Sequence, residues 1–269
     1  EMSASLVGSE MCIRDREVPP LWDAVRFHVD QSSEKGLFIL TGSSTPNHKG
    51  ILHSGAGRIA RIRMRPMSLY ESGDSSGKVS LEELCADRME SVMTGEVRLT
   101  DLIGYILRGG WPAGLGLPVK EASLLPQQYL NAIVDDDVYR IDGVKRDTTK
   151  IRLLLRSLAR NESTTATNRS LKNDVKEKDD EDIDVDTIAS YLDIFSRLFL
   201  IENQQPFSSK IRSSVRVKQA EKRHFADPSL AAALLGATEE KLLGDLNTLG
   251  FLFEALCERD LRIYTDAFG

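Results

Sequence analysis

Apolar positions recur at three-to-four spacing through most of this chain and at two-residue spacing only in short pieces. Val18–Asp30 places Leu21, Val25 and Val29 on one helical face, with Pro20 in the first turn, where its missing N–H has no intrahelical partner. Leu37–Leu40 is a continuous apolar run between Gly36 and Thr41-Gly42-Ser43-Ser44, the pattern of a buried parallel strand. In Gly57–Arg65, Ala60, Ile62 and Met64 alternate with Arg61, Arg63 and Arg65, the period of a half-exposed strand. Ser80-Leu-Glu-Glu83 matches a capping box and predicts a helix start. A helix from about Thr100 should end at Gly109-Gly110-Trp111-Pro112.

Further along, Leu124–Val138, Thr148–Ala159 and Thr187–Ile201 each read as helices, with Asp147 and Asp186 as N-caps for the last two. A short helix, Ser170–Val175, falls between those two. The order of helix, loop with short helix, and long helix fits a helix-turn-helix core. Residues 174–186 hold eight acids against two lysines and predict a solvated acidic loop. The Thr187–Ile201 helix carries Leu192, Phe195, Leu198 and Phe199, a core face rather than a recognition surface. Lys210, Arg212, Arg216, Lys218, Lys222 and Arg223 then give six basic residues with one acid, Glu221, around Ser213-Ser214, as in an exposed wing. Arg223–Pro228 reads as a short strand ending in a turn, with Asp227 able to cap a helix opened by Pro228. Ser229–Leu235 and Leu242–Tyr264 read as helices.

Composition narrows the function classes. The chain has 269 residues, 41% hydrophobic and 28% charged, with a net charge of −6. That balance excludes a general polyanion binder, so nucleic-acid contact would have to come from a local patch. No apolar run reaches the roughly 18 residues of a membrane helix. Cys12, Cys85 and Cys257 are too widely spaced for a disulfide framework or a zinc site, and free thiols fit a reducing cytoplasm. His28, His48, His53 and His224 show no metal-ligand spacing.

The first sixteen residues have neither helical period nor strand alternation. Leu6–Asp15 reads as the translation of a transposase-based sequencing adapter, so 1–16 is expected to be a non-native leader without a packing role. No strand pattern follows the last helix to cover its apolar face, so a truncated end is expected as well.

Four strings carry a family resemblance: Phe38-Ile-Leu-Thr-Gly-Ser-Ser44, His53-Ser-Gly-Ala-Gly-Arg58, Arg65-Pro-Met-Ser-Leu-Tyr-Glu71 and Arg108-Gly-Gly-Trp-Pro112. Together they resemble the bacterial and archaeal AAA-type P-loop ATP-binding proteins that carry a C-terminal domain of unknown function, number 4143. Phe225–Leu230 and Gly250–Glu254 resemble the start of that last domain. The resemblance implies an α/β fold. A partial P-loop ATPase sheet would occupy 17–117, a mostly α winged-helix region 118–207 with its acidic loop at 174–186, and the basic wing with the start of an α/β restriction-endonuclease-like domain 208–269. It implies ATP and magnesium for the intact parent, and an oligomer of identical chains. The string Gly-x-x-x-x-Gly-Lys-Ser/Thr is absent, and the adapter-like residues stand where an Asp-Glu strand end would be. The chain as written is therefore expected neither to bind nor to hydrolyse ATP appreciably, and to need no cofactor.

The same resemblance implies roles for single residues. Thr41 and Ser43 occupy the place of a γ-phosphate sensor, although Thr41-Gly42-Ser43 equally fits a strand-ending turn. Arg58 matches an arginine acting across an oligomer interface, or is simply a solvated cation. Glu254 stands where a nuclease-like domain helps coordinate magnesium, or is a helix-surface glutamate. From the residues alone, the basic run predicts non-specific, salt-dependent DNA contact or a solvated hairpin. The alternative to an ATPase fragment is a non-catalytic DNA- or protein-binding winged-helix module.

Overall fold

The computed structural model describes residues 5–7, 10–14, 19–32, 34, 36–42, 60–93, 95–141, 143–209 and 219–267. The described residues are mostly helix, which overturns the α/β expectation. It divides into two compact units, 1–64 with 197–199, and 65–196 with 200–269.

The first unit holds strands β1 (Ser5–Val7), β2 (Glu10–Arg14) and β3 (Phe38–Thr41) and helix α1 (Pro19–Asp30). β1 pairs antiparallel with β2, and β2 runs parallel to β3 with Met11 opposite Phe38 and Ile13 opposite Leu40. Ser5–Val7 and Glu10–Arg14, within the adapter-like stretch, are thus paired through their backbone. β3 is only half covered, with Ile39 exposed, so the apolar run reflects a ribbon rather than the interior of a P-loop sheet. The second expected strand is also corrected. Residues 60–65 form no strand, and Ile62 and Met64 are almost fully exposed; alternation without a partner edge builds no ladder.

The second unit is helical: α2 (Leu81–Cys85), α3 (Leu99–Arg108), α4 (Val119–Ala122), α5 (Leu124–Ala132), α6 (Val138–Arg140), α7 (Thr148–Arg160), α8 (Asn168–Asp179), α9 (Val185–Arg197), α10 (Pro228–Leu235), α11 (Glu239–Gly244) and α12 (Leu246–Asp266). A π-turn, Ile133–Asp137, joins α5 to α6. The expected nuclease-like α/β start is absent among the described residues, because 228–266 is helix throughout apart from short joints. The short helix α10 sits centrally and packs against α3, α5, α7 and α12. Its buried Leu230, Ala231 and Ala232 explain why: alanines let four helices approach a common axis closely.

Polar side chains set the helix starts. Asp147 accepts from Thr149 N and Lys150 N at 2.9 and 3.2 Å, as its cap position predicts. At α9 the cap is Asp184, which accepts from Thr187 N at 2.9 Å; Asp186 lies within the first turn. The expected acidic loop is partly helix, because α8 continues to Asp179. Arg160 holds both Asp174 and Asp179 at 2.6 and 2.7 Å, which places two of the acids against a neighbouring helix.

Three short segments, 163–164 between α7 and α8 and 201–204 and 222–225 after α9, close into a backbone ladder. Ser163 N donates to Arg223 O and Arg223 N to Thr164 O, at 2.8 and 2.7 Å. On the other side, Glu202 N donates to His224 O, and Gln204 and Lys222 exchange both bonds, each at 2.9 Å. Residues 222–225 are therefore the middle rung between 163–164 and 201–204.

Candidate functional site

Three of the strings singled out in the sequence meet in one buried polar knot of the second unit. Asp227, fully buried at the N-cap of α10, spends Oδ1 on Ser229 N and Oγ at 2.9 and 2.6 Å. Its Oδ2 accepts from Gly110 N at 2.9 Å and from Arg259 Nη1 at 2.8 Å. Arg259, on α12, also grips Asp260 Oδ1 through Nε and Nη2. Asp260 Oδ2 in turn accepts from Leu69 N at 3.0 Å. Trp111 Nε1 donates to Ser229 Oγ at 2.9 Å, and Met67 N donates to Gly110 O at 2.8 Å.

Burial alone would depress the Arg259 guanidinium; the charges and hydrogen bonds of Asp227 and Asp260 outweigh it and hold it above the ordinary arginine value. Every polar atom of this knot is used internally. Its chemistry is that of a fastener joining the 65–71 segment, the end of α3, the start of α10 and the middle of α12.

A second buried pair lies at the ladder. Glu162 Oε1 stands 3.0 Å from His224 Nδ1, and Oε2 accepts from Phe225 N at 3.1 Å. Burial pushes the Glu162 carboxyl above its ordinary range, against weaker downward pulls from His224 and from the Phe225 and Ser163 amides. Sequence reasoning passed over this pair because its partners are 62 residues apart and neither belongs to a motif.

The predicted site residues are dispersed. Thr41 ends β3 and is exposed. Ser43, Arg58, Lys210, Arg212, Arg216 and Lys218 lie outside the described residues. Lys222 pairs with Glu254 of α12, so those two candidates neutralise one another. Arg223 donates to Ala166 O and Asn168 Oδ1, both at 2.9 Å, and burial lowers its affinity for its proton. Neither described cation of the wing is left free for a phosphate. Among the described residues no group of three or more His, Cys, Asp or Glu side chains could hold a metal ion, and no helix is long and apolar enough to cross a membrane.

The outward face of α9 has a distinct character. Val185, Asp186, Ala189, Ser190, Asp193 and Ser196 are exposed, while Ile188, Tyr191, Leu192, Ile194 and Phe195 are buried. The exposed residues of that face are acids and small or apolar side chains; the helix's one cation, Arg197, is half-buried in its last turn.

No curated protein and no solved structure matches the chain. The family match that exists overturns the resemblance to AAA-type P-loop proteins with the 4143 domain, since neither is what the chain matches. The strings Arg65–Glu71, Arg108–Pro112 and Phe225–Leu230 carried that resemblance, and the structure gives them a packing role in the Asp227–Arg259–Asp260 knot rather than one at a nucleotide. The matching signature runs from residue 99 to 241, more than half of the chain, and covers α3 to α10: the chain belongs to the family described as Domain of unknown function (DUF8612).

Proposed function

We propose that residues 148–226 form a winged-helix module whose role is to dock another protein, and that the chain acts as a non-catalytic interaction module of the cytoplasm. The order α7, α8, α9 and a ladder in which 222–225 lies between 163–164 and 201–204 support the winged-helix reading. The free thiols of Cys85 and Cys257 support the compartment.

The observation that carries the choice of partner is the exposed face of α9. In a helix-turn-helix, the second helix of the motif presents its outward face to the ligand. Here that face bears the exposed Asp186 and Asp193, while its one basic residue, Arg197, is half-buried at the far end. A duplex would meet like charge there, and the two described wing cations are already committed to Glu254, Ala166 and Asn168. A basic protein surface would meet complementary charge.

The test is a pair of titrations on the full chain at about 50 mM salt, one with a labelled duplex of about 20 base pairs and one with a labelled oligolysine peptide. The reading expects peptide binding that the double substitution Asp186→Lys with Asp193→Lys abolishes, and no duplex binding. Duplex binding with a steep salt dependence, or peptide binding indifferent to the double substitution, would overturn it.

A further inference from the structure

Helix α8 is held very differently at its two ends. The N-terminal end is tied down several times over. Thr167 Oγ1 accepts from Ser170 N at 3.1 Å, and Arg223 donates to Ala166 O and to Asn168 Oδ1, both at 2.9 Å. One turn on, Leu171 is fully buried where α8 packs on α7, and Ser157 Oγ of α7 donates to Leu171 O at 3.4 Å. After Leu171 the helix buries one more side chain, Val175.

The C-terminal end has little of its own to hold it. Lys176, Glu177 and Lys178 are exposed. The helix stops at Asp180 in the left-handed region, φ +54°, without the glycine that commonly takes such a position. Asp179 and Asp180 put two carboxylates at the negative end of the helix dipole, where acids weaken a helix. One cation of α7 reverses that. Arg160 Nη2 donates to Asp174 Oδ2 at 2.6 Å and to Asp179 Oδ2 at 2.7 Å, while Nε donates to Asp174 Oδ2 at 2.9 Å. A single guanidinium fork thus grips α8 at two places more than a turn apart. Arg156 stands 3.5 Å from Asp179 and Lys172 3.0 Å from Asp182, but Arg156 and Asp182 are more than half exposed, so those pairs add little.

We propose that α8 is a latched flap, hinged at its capped N-terminal end and closed at its C-terminal end by Arg160 on Asp174 and Asp179. Released, the last turns lift from α7 and expose Val175. They also add Asp174 and Asp179 to the exposed acids Asp180, Glu181, Asp182, Asp184 and Asp186 that lead into α9. None of the ties at the hinge involves Arg160, so the latch opens without the rest of the unit unfolding. The device stands whatever α9 docks.

The experiment follows amide exchange residue by residue on the ¹⁵N-labelled full chain and three variants. In the parent, the 176–179 amides should be protected. Arg160→Gln should lower that protection about tenfold, between the effect of an exposed and of a buried ion pair, and leave 171–173 and α7 nearly unchanged. Arg160→Lys, which keeps the charge and loses the fork, should fall between the two. Asp179→Asn leaves Arg160 its bond to Asp174 and should repeat the pattern at smaller amplitude. Unprotected 176–179 amides in the parent would overturn the proposal. So would a loss in Arg160→Gln that is absent or spread evenly over α7, α8 and α9, a lysine that does no better than glutamine, or an Asp179→Asn profile like the parent's.

Discussion

A methyl group at Gly110 would collide with the carbonyl of Met67, and one at Gly109 with the Ser229 hydroxyl and the Asp227 carboxylate. The two glycines therefore let the end of α3 lie flush between the 65–71 segment and the start of α10. Gly110→Ala should cost about 1–3 kcal/mol through overpacking, read as a lower urea midpoint. The Asp227–Arg259 pair next to it is more severe. Both side chains are almost wholly enclosed, so removing Asp227 leaves Arg259 with Asp260 alone, and removing Arg259 strands both acids. Asp227→Ala is expected to destabilise by about 3–5 kcal/mol, and Arg259→Met by at least as much, since it strands Asp260 as well as Asp227. An Asp227→Ala variant as stable as the parent would show that water, not Arg259, meets that charge.

At the scale of elements, α8 shows what capping does for a polar helix. Its buried contribution is Leu171 and Val175 alone, and Thr167 Oγ1 accepts from Ser170 N at 3.1 Å. Thr167→Ala should cost about 1 kcal/mol and speed amide exchange in the first turn of α8 ahead of the other helices. The helices α3, α7 and α12 were legible in the sequence because a wide apolar face repeats its signal every turn. Asp147, Ser80 and Asp227 were legible as caps for the same local reason. The strand expected at 57–65 was not recoverable, because alternation records a side-chain pattern and says nothing about whether a partner edge exists. The acidic stretch misled in the other direction: Asp174 and Asp179 look solvated in sequence, and only the fold brings Arg160 to them. The polar knot was visible as three memorable strings, but its meaning was not. A Gly-Gly-Trp-Pro or Phe-Ala-Asp-Pro run announces tight packing without saying against what.

Over the whole molecule, proton uptake integrates these local arrangements into one stability curve. Asp184 and Asp245 cap α9 and α12, and hydrogen bonds from Thr187 and Thr248 respectively hold both carboxyls below the ordinary aspartate value. A depressed acid gives stability that is present above its unfolded value and lost as the pH falls through the folded one. Glu162 works the other way. Burial raises its carboxyl, so its contribution is present below the ordinary glutamate value and lost as the pH rises through the raised one. Denaturant midpoints measured from about pH 2 to pH 8 should therefore pass through a maximum, falling on the acid side through the caps and on the neutral side through Glu162. Glu162→Gln removes the titration while keeping an amide that can still accept from Phe225 N–H. It should flatten the neutral-side slope and leave the acid side as it was. A slope that survives this substitution would assign the loss to another buried group, and with it the idea that one carboxylate between α7 and the 222–225 rung governs how this chain answers to pH.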